Sequence, residues 1–217
     1  MSLSIAKKID DLFLGCVAVK NVQIQKSVAE LESNLSALLQ KRKQPLNEEE
    51  EHIRQSVRKM LRRGVYRPTG RSKPASEYLV RSAVNEKFPR INVAVDTINY
   101  LSLKYLVPIS LWDTDLANSE QYLFRLGTET EKYVFNSADQ EIKLHDLVTG
   151  FCIRDGQEQA IVNPVKDSLA TKTTSESQNV AMVIYYPFAD HEVLANMLEE
   201  FRNIMQNVGE VLPSVIC

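Results

Sequence analysis

Three polar side chains that could do chemistry, Asn92, Asp96 and Asn99, recur at helical spacing. Intervals of four and then three residues place them on one face of a helix that begins at Asn92. Most neighbouring positions between Val93 and Leu103 are apolar. Polar groups amid so much apolar surface must be hydrogen-bonded or must line a cavity. The stripe is therefore either a structural polar core or the wall of a binding pocket.

Positive charge is concentrated between Glu51 and Glu77, a stretch without acidic residues in a chain whose formal net charge is −2. Basic residues that end a helix complement its dipole, which explains part of this pattern. A basic loop beyond a basic helix end also suits contact with a phosphate backbone. We predict RNA binding by these residues, with ordinary solvated charge as the alternative. The predicted set is Arg62, Arg63, Arg67, Arg71 and Lys73.

Length and composition are those of an ordinary globular protein. The chain has 217 residues, of which 44% are hydrophobic and 25% charged. Such a chain can bury a core as one large domain or two small ones. Because it shows no internal repeat and no linker, we predict a single domain over residues 1–217. It contains neither a run of about 18 apolar residues nor a signal-peptide pattern, so we expect no membrane partner.

The cysteines and histidines are scattered along the chain. Cys16, Cys152 and Cys217 are odd in number and far apart, and no pair has metal-ligand spacing. This pattern indicates free thiols and a cytoplasmic location rather than a disulfide framework or a zinc site. With no Gly-rich phosphate loop either, we predict no metal and no cofactor.

Helical patterns dominate the first half of the chain and its end. Asn47 with Glu50 predicts a capping box at the start of one helix, and Ser27 with Glu30 predicts another. A final helix is predicted from Asp190 to Val208, followed by Gly209.

Short strands are predicted between these helical regions. Turn residues separate them, including the Asp155-Gly156 pair. Because helices and strands are segregated instead of alternating, the pattern favours the α+β class. The predicted strands are Tyr122–Leu126, Lys132–Phe135, Phe151–Arg154, Gln159–Val162 and Ala181–Tyr186.

The polar stripe and the segment after it resemble a known family. Ile-Asn-Val-Ala-Val-Asp-Thr-Ile-Asn-Tyr, followed by Pro-Ile-Ser-Leu-Trp-Asp-Thr-Asp-Leu, resembles the B3/B4 tRNA-editing domain in the β subunit of bacterial phenylalanyl-tRNA synthetase. Gly70-Arg-Ser-Lys-Pro and the Ser168…Thr171…Thr174 series extend the likeness to about residues 60–187. The resemblance implies a three-layer domain, an irregular β-sandwich packed by helices. The remaining residues would frame it.

The family's editing site contains a Thr-Asn pair, a His and a Glu. Asn99 matches the Asn, whereas Ile98 stands where the Thr belongs and Ser110 where the His belongs. No acid occupies the region expected to hold the Glu. The resemblance therefore implies Asn99 and Ser110 as catalytic candidates, with Asn92 and Asp96 as pocket residues.

Other groups remain candidate participants in any surviving chemistry. They are Tyr185, Tyr186, Asp96 and Lys166. Ser110 can form hydrogen bonds but is a poor general base, so it does not replace the missing His. Either hydrolysis has been lost, or the pocket acts on a different ester with other groups.

Two functions follow from these observations. The first is binding of tRNA or aminoacyl-tRNA, with hydrolysis of a mischarged aminoacyl-tRNA in trans as the activity that the resemblance implies. The alternative is a non-catalytic module that binds an amino-acid-like ligand or a protein partner. The chain has no region for ATP binding or amino-acid activation, so it is not a synthetase on its own. We expect no DNA partner.

Overall fold

Helices are concentrated in the first half of the chain and near its end, with most strands between them, as its periodicity predicts. The structure is a computed structural model that describes residues 3–217. Its helices are α1 (Ala29–Lys41), α2 (Glu48–Leu61), α3 (Ala75–Val84), α4 (Val93–Tyr105), α5 (Thr114–Ala117) and α6 (His191–Met205). Its strands are β1 (Ser4–Lys7), β2 (Phe13–Lys20), β3 (Ile109–Asp113), β4 (Gln121–Leu126), β5 (Lys132–Val134), β6 (Glu141–Lys143), β7 (Val148–Arg154), β8 (Gln157–Val162), β9 (Val180–Tyr186), β10 (Glu210–Val211) and β11 (Val215–Ile216).

A central antiparallel sheet has the strand order β10-β2-β9-β3, and β11 also pairs with β2. Every residue of β9 is buried. A strand buried on both faces reads as a continuous apolar run instead of an alternating one, which is the pattern of Val-Ala-Met-Val-Ile-Tyr-Tyr. Both faces of this sheet must therefore be covered.

A second sheet covers one face of the central sheet. Its order is β1-β4-β7-β8, with β1 parallel to β4 and the other pairs antiparallel. Aromatic side chains join the two sheets. The rings of Trp112 and Tyr122 lie 5.1 Å apart, and the ring of Phe124 meets that of Tyr185 edge-on at 6.2 Å. The two sheets thus form a sandwich with an aromatic interior.

Helices cover the other face of the central sheet. Helix α6 packs on β2, where Gly15 allows close approach, since a Cβ at this position would lie 2.8 Å from Cδ1 of Leu194. Helix α4 packs beside α6 and against β3. The result is three layers, helices on the central sheet and the central sheet on the second sheet. The predicted α+β class and the helix-packed β-sandwich are confirmed.

The helix starts test two capping predictions. The box at Asn47 is confirmed, because its side chain accepts from the Glu50 N–H while Glu50 accepts from the Asn47 N–H. The box at Ser27 is wrong. Helix α1 is preceded by Val28, which is extended, buried and unable to cap through its side chain. Burial of Val28 keeps the chain extended past Ser27 and delays the helix.

Helix α6 ends at Met205, earlier than the predicted Val208. The chain then turns so that Gly209 passes against β2, where a Cβ would lie 2.8 Å from the Lys20 carbonyl oxygen. This close approach allows β10 to pair with β2.

One buried arginine joins three helices. Arg42 follows α1 and is 2% exposed. Its guanidinium donates to the carbonyl oxygens of Leu103 (2.9 Å) and Lys104 (3.0 Å) at the end of α4 and to the Glu50 carboxylate (2.7 Å) in α2. The last carbonyl groups of a helix lack partners within the helix. Arg42 supplies partners for two of them and thereby positions α4.

We expect Arg42→Ala to lower the free energy of unfolding by roughly 2 to 4 kcal/mol, because it leaves buried carbonyl groups and Glu50 without their donor. Urea denaturation measures this loss. Arg81→Ala, an exposed arginine on α3, is the control and should change stability by about 0.5 kcal/mol or less. An equal effect of the two variants would contradict a special role for Arg42.

Candidate functional site

A wide cleft separates the loop after α2 from the β5–β6 hairpin. We call it the outer cleft; its volume is about 1230 Å³. Several basic side chains line it and come from both sides: Arg67, Arg71, Lys143, His145 and Lys166. The positive charge is thus drawn from segments that are far apart in sequence. A concave surface lined by cations concentrates positive potential.

A smaller cavity opens beside the outer cleft. We call it the inner pocket; its volume is about 270 Å³. Both cavities share Asn99 and Lys166, which therefore mark their junction. Apolar side chains, among them Val95 and Ile98, form one part of the wall of the inner pocket. Its polar groups are Asn99, Ser110, Asn163, Lys166, Asp167, Lys172 and Thr173.

Ser110 lies on β3 at the base of the inner pocket and is 1% exposed. Its hydroxyl donates to the Asn163 carbonyl oxygen (3.1 Å) and accepts from the Tyr185 hydroxyl (3.2 Å). Burial raises the pKa of Tyr185 well above its usual range, and the nearby charge of Asp167 adds to this effect. Tyr185 therefore stays a neutral donor to Ser110.

Asp167 provides the carboxylate of the inner pocket. Its oxygens accept long hydrogen bonds from the backbone N–H groups of Leu111 (3.4 Å) and Asn163 (3.3 Å). Burial raises the pKa of Asp167 to about 7, and the Ser110 hydroxyl, the two N–H groups and the Lys172 charge oppose this rise. Desolvation penalises the charged form of a carboxyl group, so Asp167 changes charge near neutral pH.

Lys166 stands between the two cavities. Its ammonium group lies over the Phe135 ring, 3.8 Å from the centroid. Burial lowers the pKa of Lys166, and the nearby Arg71 charge lowers it further. The aromatic face compensates part of the lost solvation of this cation. Phe135 also holds Lys172, whose ammonium group donates to the Phe135 carbonyl oxygen (2.6 Å).

Sequence comparison identifies the family. The family model described as B3/4 domain matches residues 58–196, more than half of the chain. The chain belongs to the B3/4 domain family. The matched range contains the outer cleft, strands β3 and β9 of the central sheet, and strands β4, β7 and β8 of the second sheet.

One similar solved structure is a crystal structure of an N-terminal fragment of the phenylalanyl-tRNA synthetase β subunit from Pyrococcus horikoshii. Sequence identity is 12% and the TM-score is 0.45, and the similarity covers 97% of this chain. The chain spans about half of that structure, since 50% of it is covered. A search among proteins of curated function finds no match.

The polar stripe of this B3/4 domain divides between three tasks. Asn92 caps α4, accepting from the Val95 N–H (3.0 Å). Asp96 holds the loop before α4 by accepting from the Ile91 N–H (2.8 Å) and the Arg90 guanidinium (2.8 Å). Asn99 lines both cavities. The contacts of Asn92 and Asp96 serve the fold, and a pocket role for them stays a prediction.

The predicted catalytic candidates Asn99 and Ser110 lie in the same pocket. Of the other candidate participants, Lys166 lines this pocket and Tyr185 contacts Ser110. Tyr186 instead packs edge-on against Phe188, with ring centroids 5.4 Å apart. The structure therefore brings the two family positions, Asn99 and Ser110, together with Lys166 and Tyr185, while a catalytic role for any of them stays a prediction.

The predicted RNA-binding residues are spread over a larger surface. Arg67 and Arg71 line the outer cleft, and Arg67 also donates to the carbonyl oxygens of Gly64 and Tyr66. Arg63 instead pairs with Asp11 (2.8 Å). Within residues 3–217, Arg62, Arg63 and Lys73 lie outside the lining of both cavities.

Asp167 is the functional candidate that sequence reasoning missed. It immediately precedes Ser168, the first residue of the family-like Ser/Thr series. Its position next to Ser168 is the one sequence feature that could have indicated it. The family pattern instead predicts the acidic residue after the Ser/Thr series. Lys143 and His145 were also missed, because they lie in a polar hairpin segment whose approach to the cleft depends on the fold.

Metal binding and membrane crossing have no support in the part of the chain that the structure describes. No three His, Cys, Asp or Glu side chains there are grouped so that they could hold a metal ion. None of its helices combines the length and apolar character needed to cross a membrane.

The raised pKa of Asp167 makes stability depend on pH. Between 3.8, its ordinary pKa, and about 7, the folded protein keeps this carboxyl protonated while the unfolded chain ionises it. Unfolding then releases a proton, so stability falls as pH rises through this window. We expect Asp167→Asn to remove this fall. The stability of the variant relative to the wild type should therefore be higher above about pH 7 than at about pH 4.

Thermal or urea unfolding at several pH values measures this difference. Asp155→Asn, an exposed carboxylate in the β7–β8 turn, is the matched control and should follow the wild type. A difference between Asp167→Asn and the wild type that stays constant from about pH 4 to about pH 8 would contradict the raised pKa.

Proposed function

We propose that this B3/4 domain binds tRNA in the outer cleft and receives the aminoacylated 3′ end of the tRNA in the inner pocket. One observation carries the proposal. A large cleft lined by Arg67, Arg71 and Lys166 adjoins a small pocket that has both apolar and polar walls. An aminoacylated tRNA is a polyanion with an amino acid at its end. Its backbone matches the basic cleft, and its amino acid matches the small pocket.

The outer cleft suits a nucleic-acid backbone. Arginine and lysine contacts to phosphates position a nucleic acid without reading its sequence. Phe135 adds an aromatic ring at the same surface, and unpaired bases stack on aromatic side chains. The 3′ end of tRNA is single-stranded, so its bases are available for such stacking. These features favour a single-stranded RNA end over duplex DNA.

The inner pocket suits an aminoacyl group. Its volume of about 270 Å³ is large enough for one amino-acid side chain and too small for a large ligand. Val95 and Ile98 offer apolar surface for the side chain. Asn99 offers a polar group for the ester, and Ser110 lies behind it at the base of the pocket. Since Asn99 lines both cavities, it would lie where the amino acid joins the RNA.

Arg62, Arg63 and Lys73 would contact the tRNA backbone farther from the pocket. They belong to the same basic stretch but lie outside the cavity linings among the described residues. Their contribution should therefore be smaller than that of Arg67 and Arg71. The cytoplasm, where tRNA is used, is the proposed location, and the three free cysteines support it.

A second candidate is a module that binds an amino-acid-like ligand without RNA. The favouring observation is that the inner pocket carries its own charged and polar groups, Asp167 and Lys172 among them. Such a ligand could be held with no contact to the outer cleft. This candidate predicts binding of a free amino acid that is unaffected by mutation of Arg67 and Arg71.

The test is binding of fluorescently labelled tRNA, measured by anisotropy over a range of salt concentrations. We expect the double variant Arg67→Ala/Arg71→Ala to bind more weakly. Its slope of log affinity against log salt should be flatter by roughly 0.7 to 0.9 for each phosphate contact removed. The pair Arg62→Ala/Lys73→Ala should show a smaller change.

Arg81→Ala is the matched control, because Arg81 is an exposed arginine on α3 outside the cleft lining. It should bind like the wild type. Duplex DNA and tRNA without its 3′-terminal nucleotides should compete poorly. Salt-insensitive binding, or an equal loss in Arg81→Ala, would overturn the proposal.

A further inference from the structure

The inner pocket holds a carboxylate that the binding function alone does not require. Asp167 is fixed between β3 and the end of β8 by the N–H groups of Leu111 and Asn163. The adjoining Ser110 hydroxyl is a hydrogen-bond partner of Asp167 as well as of the Asn163 carbonyl oxygen. Asp167 is thus a positioned acidic group in a cavity that has room for a ligand of amino-acid size.

We propose that Asp167 is the general base that activates a water molecule for hydrolysis of an aminoacyl ester in the inner pocket. This inference rests on the proposed function, because it takes the aminoacyl end of tRNA as the substrate. The reaction is the one that the family resemblance implies, and the inference assigns its general base to a residue outside the positions of the family pattern.

Other groups of the pocket are poorer bases. The Asn99 amide does not ionise, and a serine hydroxyl such as that of Ser110 is a poor general base. Burial keeps Tyr185 neutral by raising its pKa. The pKa of Lys166 is lowered, but this residue lies at the junction with the outer cleft. There we assign it to balancing phosphate charge and not to accepting a proton. Asp167 remains, and a pKa of about 7 is where a general base works best at neutral pH.

The charged and titratable groups around Asp167 come from several elements. Tyr133 faces it from β5 and Tyr185 from β9, and both have a pKa raised by burial. Lys172 faces it after the short turn Leu169–Thr171 and lowers its pKa. Lys166 is its chain neighbour and lines the same pocket. Burial outweighs these cations, so Asp167 is ionised above neutral pH and protonated below it.

Besides Asp167, the reaction needs only water and the ester. Asp167 removes a proton from water as the water oxygen forms a bond to the ester carbonyl carbon. The tetrahedral intermediate then breaks its bond to the ribose oxygen. This leaving oxygen takes the proton from Asp167, which regenerates the carboxylate. The products are the free amino acid, whose new carboxyl group loses its proton to solvent, and the uncharged tRNA.

The experiment is single-turnover deacylation of a panel of aminoacyl-tRNAs with apolar and aromatic amino acids, including tyrosine attached to phenylalanine tRNA. We expect the rate to rise with pH and to level off above an apparent pKa of about 7. Asp167→Asn should lower the rate by about 100-fold or more. Its affinity for uncharged tRNA should stay within about twofold of the wild type, because Asp167 does not line the outer cleft.

Controls separate chemistry from structure. Asp155→Asn should keep the wild-type rate and pH profile. Asp167→Glu keeps an ionisable group and should recover part of the rate, with a shifted pH profile. If Asp167→Asn does not fold, two measurements still test the inference. They are the pH dependence of the wild-type deacylation rate and its displacement in Asp167→Glu. An unchanged rate in Asp167→Asn, or a pH-independent wild-type rate, would overturn the inference.

The outcomes also separate this inference from the proposed function. Salt-sensitive tRNA binding with no deacylation of any panel member would overturn the role of Asp167 and leave tRNA binding intact. Hydrolysis of small amino-acid ethyl esters that depends on Asp167, without tRNA binding, would overturn the proposed partner and support the base.

Discussion

Strand β9 is buried along its whole length, between β2 and β3 within the central sheet and between the helices and the second sheet. Its backbone groups are paired on both sides, so it can lie in the interior without unsatisfied donors or acceptors. This burial sets the position of β3 and hence of Ser110. It also places the Tyr185 hydroxyl against Ser110. The base of the inner pocket is therefore an extension of the core.

Charge is distributed unequally between the two cavities. The outer cleft carries mainly cations, whereas the inner pocket carries Asp167 behind the junction at Lys166. Burial makes the charged form of Asp167 costly, and the neighbouring cations and hydrogen bonds only partly offset that cost. In the proposed function, a phosphate backbone contacts the outer cleft while the acid lies behind it. The same arrangement separates the cationic surface from the carboxylate in space.

The polar stripe on α4 shows how far periodicity can be taken. Helical spacing correctly places Asp96 and Asn99 in a helix that begins after Asn92. The helix has neighbours that differ along its length, however. Its start meets a loop, so Asn92 becomes a cap and Asp96 binds Arg90. One turn later the helix borders the cleft, and Asn99 lines it. The local sequence of α4 does not reveal which segments pack beside each of its turns.

The sequence by itself determined the α+β class, four strands of the sandwich, strand β5 of the hairpin and the Asn47 box, because these depend on periodicity and on local hydrogen bonds. It also paired Asn99 with Ser110 through the family pattern. Only the tertiary structure decided that β1 and β3 are strands, since they have four and five residues and runs this short show no decisive period. Asp167 and the far wall of the cleft were likewise decided by the fold. Burial and proximity arise from contacts between distant segments, and no local pattern encodes them.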